Sequence, residues 1–286
     1  MADIVTILIN GTVISSLYAL VAIGFTMIFG VGGTINLAHG GIITVGAFSA
    51  YYVTNAGLGI WAGVLAAMAV PALFSVLLYK GFAERRNDII IVMILTLLAS
   101  IVVEEVVRIV EGSQPKAIPA LVSGTTELLG SSVQNNLLVV FVVSWLLIGG
   151  LFAFVNYTKT GKAILATSMS PRGAALVGIE SDRINLYTWA IAGLLAGIAG
   201  LFLGSYQTAN WAMGREPLIL SFSIVVLGGL GSIRGSLVAA YVIGFLEVIT
   251  TSAIDPRLSG LAGLLVLVVV LLVRPEGLFG RELAEA

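Results

Sequence analysis

The sequence predicts an all-α, polytopic transmembrane helical bundle of about eight membrane segments, some of them interrupted by glycine. Of the 286 residues, 58% are hydrophobic and only 10% are charged, whereas a soluble domain carries about 25% charged residues. The charges are bunched, so several apolar runs between them reach the roughly 20 residues needed to cross the hydrocarbon. These runs are continuously apolar rather than alternating, which favours helices over the strands of a membrane barrel.

Eight stretches are apolar enough to be membrane segments. The first has no basic residues before it and is too long for a signal peptide, so we expect it to remain as a helix. The seventh contains a glycine-rich break and fits one long helix, two crossings or a re-entrant pair, which leaves the count open by one. The stretches are residues 4–29, 37–54, 58–79, 89–103 and slightly beyond, 137–155, 185–206, 218–246 and 258–273.

The basic residues predict the orientation of the chain. In an alternating topology ten of the 14 lie on one side, which the positive-inside rule assigns to the cytoplasm. The N-terminus is then outside if the seventh stretch crosses twice. The cytoplasmic set is Lys80, Arg85, Arg86, Lys159, Lys162, Arg172, Arg183, Arg234, Arg274 and Arg281, and the outer set is Arg108, Lys116, Arg215 and Arg257.

We expect residues 1–286 to form one transmembrane domain with two long loops. The outer loop, 111–136, contains prolines and small polar residues; a short helix, a partner contact and a simple connector all fit it. At the end of the preceding segment, Glu104 and Arg108 are four residues apart, a spacing that predicts an ion pair on one helix face.

The inner loop, 157–185, predicts a short helix with both ends marked. Ser170 fits the N-cap, Pro171 the first helical position and Gly178 the left-handed residue beyond the last turn. An apolar patch on a cytoplasmic surface favours a partner protein, while packing against the chain's own bundle is the alternative. The small and apolar residues within this segment are Ala174, Ala175, Leu176 and Val177.

No enzyme signature is present in the sequence. Gly161 and Lys162 lack the rest of a phosphate-binding loop, there is one histidine, and there is no cysteine, so we expect no cofactor and no metal. The net charge of -1 argues against a nucleic-acid partner.

Polar groups inside membrane segments are the candidates for function, because burying them is costly. The segment 30–41 combines glycines with an asparagine and the single histidine, and a second glycine-rich interruption spans 227–235. Unwound turns at such places free backbone groups to meet a solute, although helix packing around a hydrogen-bonded histidine explains the first segment equally well. Glu247 fits a pathway residue, a proton site or a satisfied carboxylate at a helix end. The candidate pathway residues are Gly32, Gly33, Asn36, His39, Gly40, Gly228, Gly229 and Gly231.

Four strings occur in order along the chain: SSLYALVAIGFTMIFGVGGTINLAHGG, TKTGKAILATSMSPRGAALVGIESDRIN, SFSIVVLGGLGSIRGSLVAAYVIGFLE and VRPEGLFG. Together they resemble the shorter, H-type permease subunit of branched-chain amino acid ABC importers. The resemblance covers essentially the whole chain. Two departures are the SMSPRGAA stretch, where relatives more often carry an acidic or amide residue, and Arg234, where many carry proline.

The resemblance implies a multi-pass protein of a prokaryotic cytoplasmic membrane. Its expected partners are a second, M-type permease that completes the pathway, two cytoplasmic ATP-binding subunits and an extracytoplasmic solute-binding protein. The helix in the inner loop then resembles the element that couples to the ATPases, formed by Ser170, Pro171, Arg172, Ala174, Ala175, Leu176, Val177 and Gly178.

Three alternatives stay open at the level of sequence. Related permeases with similar strings carry urea or short amides. A stand-alone proton-coupled transporter would use Glu247 or His39 as its proton site. A purely structural membrane subunit would tolerate substitutions in the candidate pathway.

Overall fold

A computed structural model describes residues 4–86, 88–274 and 276–279 of the chain. The described residues form a helical bundle with one small hairpin, as predicted from the apolar runs. The helices are α1 (Ile4–Gly32), α2 (His39–Val53), α3 (Ile60–Leu78), α4 (Ile89–Glu111), α5 (Asn135–Tyr157), α6 (Lys159–Met169), α7 (Pro171–Leu176), α8 (Ser181–Gln207), α9 (Arg215–Gly228), α10 (Ile233–Ile249) and α11 (Leu261–Val273).

Six of the described helical segments are long and apolar enough to cross a membrane. π-helical turns at Tyr79–Ala83 and Thr250–Ile254 lengthen two of them. α11, with 13 residues, is shorter but equally apolar. Each of the eight predicted stretches contains helix, and the seventh is not one long helix, because α9 and α10 separate at Gly228 and pack against each other. The predicted polytopic helical bundle is confirmed.

Two central helices, α1 and α8, hold the bundle together. α1 packs against α10, α8, α5 and α9, while α8 packs against α3 and α2. Small residues allow this close contact, which in a bilayer depends on packing rather than on the hydrophobic effect. At Gly200 of α8, a side chain would overlap the backbone carbonyl oxygen of Ile43 on α2.

Contacts between helix ends define two ends of the bundle. At the first, which we call the basic end, Gly30 lies against Gly231, and the Tyr79 hydroxyl donates to the Asp182 carbonyl over 3.1 Å. At the opposite end, the Asn136 amide donates to the Ser205 hydroxyl over 3.1 Å. Nine of the ten basic residues predicted to share one side lie in or between the helix termini at the basic end, and Arg281 lies outside the described residues.

The connection between α4 and α5 contains a hairpin rather than the short helix considered for it. Its antiparallel strands are β1 (Thr125–Leu128) and β2 (Ser131–Gln134). Earlier in the same connection, Lys116 exchanges two backbone hydrogen bonds with Ala209, of 2.7 and 2.8 Å. No helix occurs in the described residues of this connection, because its backbone groups pair across strands and with the loop that follows α8.

The ion pair predicted between Glu104 and Arg108 is wrong. Arg108 donates instead to Glu105, with 2.9 Å between Nε and Oε2. Glu104 is buried on the inner face of α4, where it accepts from Arg215 at the start of α9 over 3.0 Å. Arg215, which is distant in sequence, therefore takes the place of Arg108 as the ion-pair partner of Glu104.

Candidate functional site

The glycine-rich segment after α1 breaks the helix, as its composition predicts. α1 ends at Gly32, Gly33 takes a left-handed conformation with φ of 61°, and α2 begins at His39. Within the break, the side-chain Oδ1 atom of Asn36 accepts from the Ala38 amide over 3.0 Å. The Asn36 Nδ2 group is buried without a hydrogen-bond partner among the described residues. Because an unpaired buried donor costs free energy, Asn36 is a candidate contact for a solute.

His39 is fully buried at the start of α2. Its Nε2 atom lies 3.0 Å from the carbonyl oxygen of Val21, and the ring meets the edge of Phe25 with 5.5 Å between centroids. Since a carbonyl only accepts, Nε2 donates and Nδ1 is left as an acceptor, with no partner in the described part of the chain. Nε2 therefore fixes the ring within the bundle, as helix packing around a hydrogen-bonded histidine predicts. Nδ1 is left without a partner among the described residues.

The structure divides the candidate pathway residues into two groups. Gly40 lies against Gly214, where a side chain would approach the carbonyl oxygen to 2.5 Å, so the start of α2 meets the start of α9. The second glycine-rich interruption lies at the basic end, where Gly231 contacts Gly30. Asn36 and His39 are therefore not brought together with residues 228–231. Gly32 and Gly33 are exposed at the end of α1, whereas Gly228 and Gly229 are buried beside the start of α10.

A cavity of about 600 Å³ opens at the basic end. Its walls come from the end of α1, the end of α5, α6 and the turn between α9 and α10. Of the candidate pathway residues, Gly231 alone is in its lining. The other lining side chains are mostly apolar and come from segments far apart in sequence, so no local signal identifies them. They include Met27, Phe29, Leu151, Phe152, Ile164, Leu165, Ile233 and Phe279.

The predicted short helix in the inner loop is present as α7. The Ser170 hydroxyl accepts from the Gly173 amide over 3.0 Å, and Pro171 occupies the first turn. At the other end Gly178 has φ of 81°, and the Ile179 amide donates to the Ala174 carbonyl over 3.0 Å, which is the Schellman arrangement. α7 is therefore fixed at both ends by its own residues.

One face of α7 is anchored and the other is free. Ala174 is buried, but Leu176 and Val177 are 89% and 75% exposed among the described residues. They lie at the basic end, close to Arg172 and the cytoplasmic cluster of positive charge predicted from the sequence. The contact of these two apolar side chains with a partner protein stays a prediction from the sequence.

Glu247 is a buried carboxylate at the opposite end of the bundle. Its Oε1 atom accepts from the Ser259 hydroxyl over 2.8 Å and from the Gly260 amide over 2.7 Å. Its Oε2 atom has no partner in the described residues. The carboxylate therefore fixes the turn between α10 and α11 with one oxygen only.

Comparison with known proteins agrees with these features. The family described as "Branched-chain amino acid transport system / permease component" matches residues 7–273. The chain is 31% identical to the high-affinity branched-chain amino acid transport system permease protein LivH of Escherichia coli K12, covering 96% of this chain and 95% of LivH. It is also 31% identical to BraD of Pseudomonas aeruginosa, a protein with the same description, over 97% of this chain and 96% of BraD.

Similarity also extends to more distant proteins. The ribose import permease protein RbsC of Haemophilus influenzae is 24% identical over 82% of this chain and 73% of its own. The solved structure "PsaBC from Streptococcus pneumoniae in complex with Fab" has a TM-score of 0.53 at 14% identity and covers 94% of this chain and 92% of that chain, a similarity of fold.

With six membrane-spanning helical segments among its described residues, the chain is a multi-pass protein of the cell membrane. The family match over residues 7–273 and the 31% identity to LivH over nearly the whole length indicate one and the same family. The chain belongs to the family of permease components of branched-chain amino acid transport systems.

Proposed function

We propose that the chain forms half of the translocation pathway of an ABC importer for branched-chain amino acids. A second, M-type permease completes the pathway, two cytoplasmic ATP-binding subunits supply energy, and an extracytoplasmic binding protein delivers the solute. The observation that carries this proposal is the family match over residues 7–273. The names of LivH and BraD favour branched-chain amino acids over urea or short amides.

Energy then reaches the chain through α7. An exposed apolar pair on a doubly capped helix suits a groove in an ATPase subunit, because the helix keeps its shape when force is applied to it. Alternating access follows when ATP closes the two ATPases and moves the helices docked on them. A stand-alone proton-coupled transporter would have no ATPase subunit for Leu176 and Val177 to contact.

Purification of the native complex in mild detergent, followed by mass spectrometry, tests the proposed assembly. We expect a second permease and ATPase subunits to be recovered with the chain. The complex, reconstituted with its binding protein, is then assayed for ATP-driven uptake of leucine, isoleucine, valine and urea. A chain that purifies alone and takes up solute in a proton gradient would contradict the proposal.

Replacing Gly178 with valine is expected to uncouple ATP hydrolysis from uptake. At φ of 81° a β-branched residue is strongly strained, so the last turn of α7 would rearrange and move Leu176. Gly178→Asn is the matched control, because asparagine tolerates this conformation and there is nothing within 4 Å of the added Cβ. We expect Gly178→Val to lower the ratio of solute imported to ATP hydrolysed by about tenfold, equal to roughly 1.4 kcal/mol of lost coupling. Equal ratios for the two variants would argue against α7 as the coupling element.

Replacing Asn36 with leucine tests whether the broken segment contacts the solute. The change removes the unpaired Nδ2 donor, and loss of one hydrogen bond in a dry site is expected to reduce uptake by about tenfold. Uptake is normalised to the amount of folded complex, and Asn55→Leu, on an exposed turn, serves as the control. Unchanged uptake in Asn36→Leu would assign the segment a structural role only.

A further inference from the structure

A second cavity, of about 270 Å³, lies at the opposite end of the bundle from α7. Its walls come from the middle of α1, the end of α8, the loop after α8 and the first turns of α9. Drug-sized ligands occupy pockets of about 300–1,000 Å³, so a cavity of this size suits a small solute. Its lining includes Tyr18, Gln207, Asn210, Met213, Glu216 and Leu220.

Glu216, in the wall of this cavity, shares the Ser259 hydroxyl with Glu247, which lies behind the wall, and neither carboxylate forms an ion pair with a basic side chain among the described residues. Ser259 Oγ lies 2.7 Å from Glu216 Oε1 and 2.8 Å from Glu247 Oε1. A hydroxyl carries one proton, so it cannot donate to both carboxylates at once. Glu247 is only 3% exposed, and its Oε2 atom has no partner among the described residues. The pair therefore favours an additional donor with positive charge.

The nearest basic residue in the sequence is occupied elsewhere. Arg215 precedes Glu216, but its guanidinium donates to Glu104 and lies 4.9 Å from the centre of the Trp211 ring. Tyr18 lines the cavity and is only 7% exposed, yet its hydroxyl has no hydrogen-bond partner in the described part of the chain. Because the Tyr18 hydroxyl is not among the fully buried unpaired atoms of the described residues, it is open to the cavity and available to a ligand there.

The remaining walls supply groups that match the aliphatic side chain and the carboxylate of an amino acid. Met213 and Leu220 give an apolar surface, and Gln207 and Asn210 provide carboxamide groups. The Asn210 Oδ1 atom accepts from the Ala212 amide over 2.9 Å, which leaves its Nδ2 group available to donate. An ammonium, an aliphatic side chain and a carboxylate each find a group of matching chemistry here.

The rim of the cavity contains a strained residue. Thr208, the residue after α8, has φ of 103°, a conformation that is strained for a residue other than glycine. The double hydrogen bond between Lys116 and Ala209 fixes the chain immediately after it. The loop after α4 therefore holds the rim in a shape that the local sequence does not favour.

We infer that this cavity receives an L-α-amino acid with an aliphatic side chain, and that Glu216 pairs with its ammonium group. The chain thus has its own solute contact before the central pathway, in addition to the selection made by a binding protein. This inference rests on the proposed function, since it assumes that branched-chain amino acids pass through the chain.

Binding of radiolabelled L-leucine to the purified complex in lipid nanodiscs, without binding protein and without nucleotide, tests the inference. We expect saturable binding that 4-methylpentanoate, which lacks the ammonium, does not displace. Glu216→Gln is expected to weaken binding at least about tenfold, and Glu216→Asp to restore most of it. Met213→Trp, which fills the cavity, is expected to abolish binding, and Glu105→Gln, an exposed acid on α4, to leave it unchanged.

Failure of the inference and failure of the proposed function give different results. ATP-driven leucine uptake by the native complex with its binding protein is measured first, and its absence overturns the proposed function. If uptake is present, the inference is overturned when native complex shows no saturable leucine binding, or when Glu216→Gln and Met213→Trp bind leucine as the native complex does. Each variant is compared at equal amounts of monodisperse complex, so a folding defect is detected separately.

Discussion

A chain carrying Leu176→Asp and Val177→Asp is expected to lose ATP-driven uptake while remaining folded. Both side chains are largely exposed in the isolated chain, so the change removes little internal packing. Burying side chains of this size against a partner is worth about 1.5–3 kcal/mol each. Two buried aspartates would also lack partners for their charges, so the ATPase subunits should dissociate at least about a hundredfold more readily.

Co-purification of the ATPase subunits with the double variant measures this effect directly. Leu129→Asp is the matched control, because Leu129 is 82% exposed in the hairpin at the opposite end of the bundle. It adds a charge to the protein without touching α7. Retention of the ATPases by the double variant, with normal uptake, would show that they bind to another part of the chain.

The largest loss of folded protein is expected from Gly200→Leu. Any side chain at this position overlaps the backbone of α2 at Ile43, and backbone atoms cannot move aside as the end of a flexible side chain can. Overpacking ordinarily costs about 1–3 kcal/mol, and a clash between a leucine side chain on α8 and the backbone of α2 should exceed that range. We expect little or no monodisperse protein after purification in detergent.

Gly149→Leu provides the comparison for that experiment. Gly149 is exposed on α5 with no atom within 4 Å of an added Cβ, so leucine there gains helix propensity without a clash. Thermal unfolding followed by size-exclusion chromatography should give a midpoint close to that of the unchanged chain. Equal stability of the two variants would contradict the close packing of α2 against α8.

Features determined by neighbouring residues were predictable from the sequence. The capped helix from Ser170 to Gly178 depends on hydrogen bonds between residues at most five positions apart, and its residue types specify those bonds. Glycines after α1 and α9 likewise predict the breaks in the helices, because only local backbone freedom is involved. The helical bundle itself follows from the length and hydropathy of the apolar runs.

Features determined by distant residues were not predictable. Glu104 has an acceptable partner four residues away, but its orientation toward the bundle interior brings it to Arg215, 111 residues later. The cavity containing Glu216 combines α1, α8 and α9, and no spacing in the sequence brings these together. The predicted pathway residues are similarly divided: the two glycine-rich breaks meet where Gly30 contacts Gly231, whereas His39 lies deeper, beside Val21 in the middle of α1.

The central position of α1 has a consequence for how the protein is made. α1 is synthesised well before its polar partner on α10: the Thr26 and Ser236 hydroxyls are 2.6 Å apart and 210 residues apart in sequence. At about 5–20 residues per second, that interval is roughly 10–40 seconds. During biogenesis α1 lies beside the insertion machinery or in lipid for this interval, with the Thr26 hydroxyl bonded only to the Ala22 carbonyl of its own helix. Quality-control proteases would have this interval in which to distinguish an unfinished chain from a complete one.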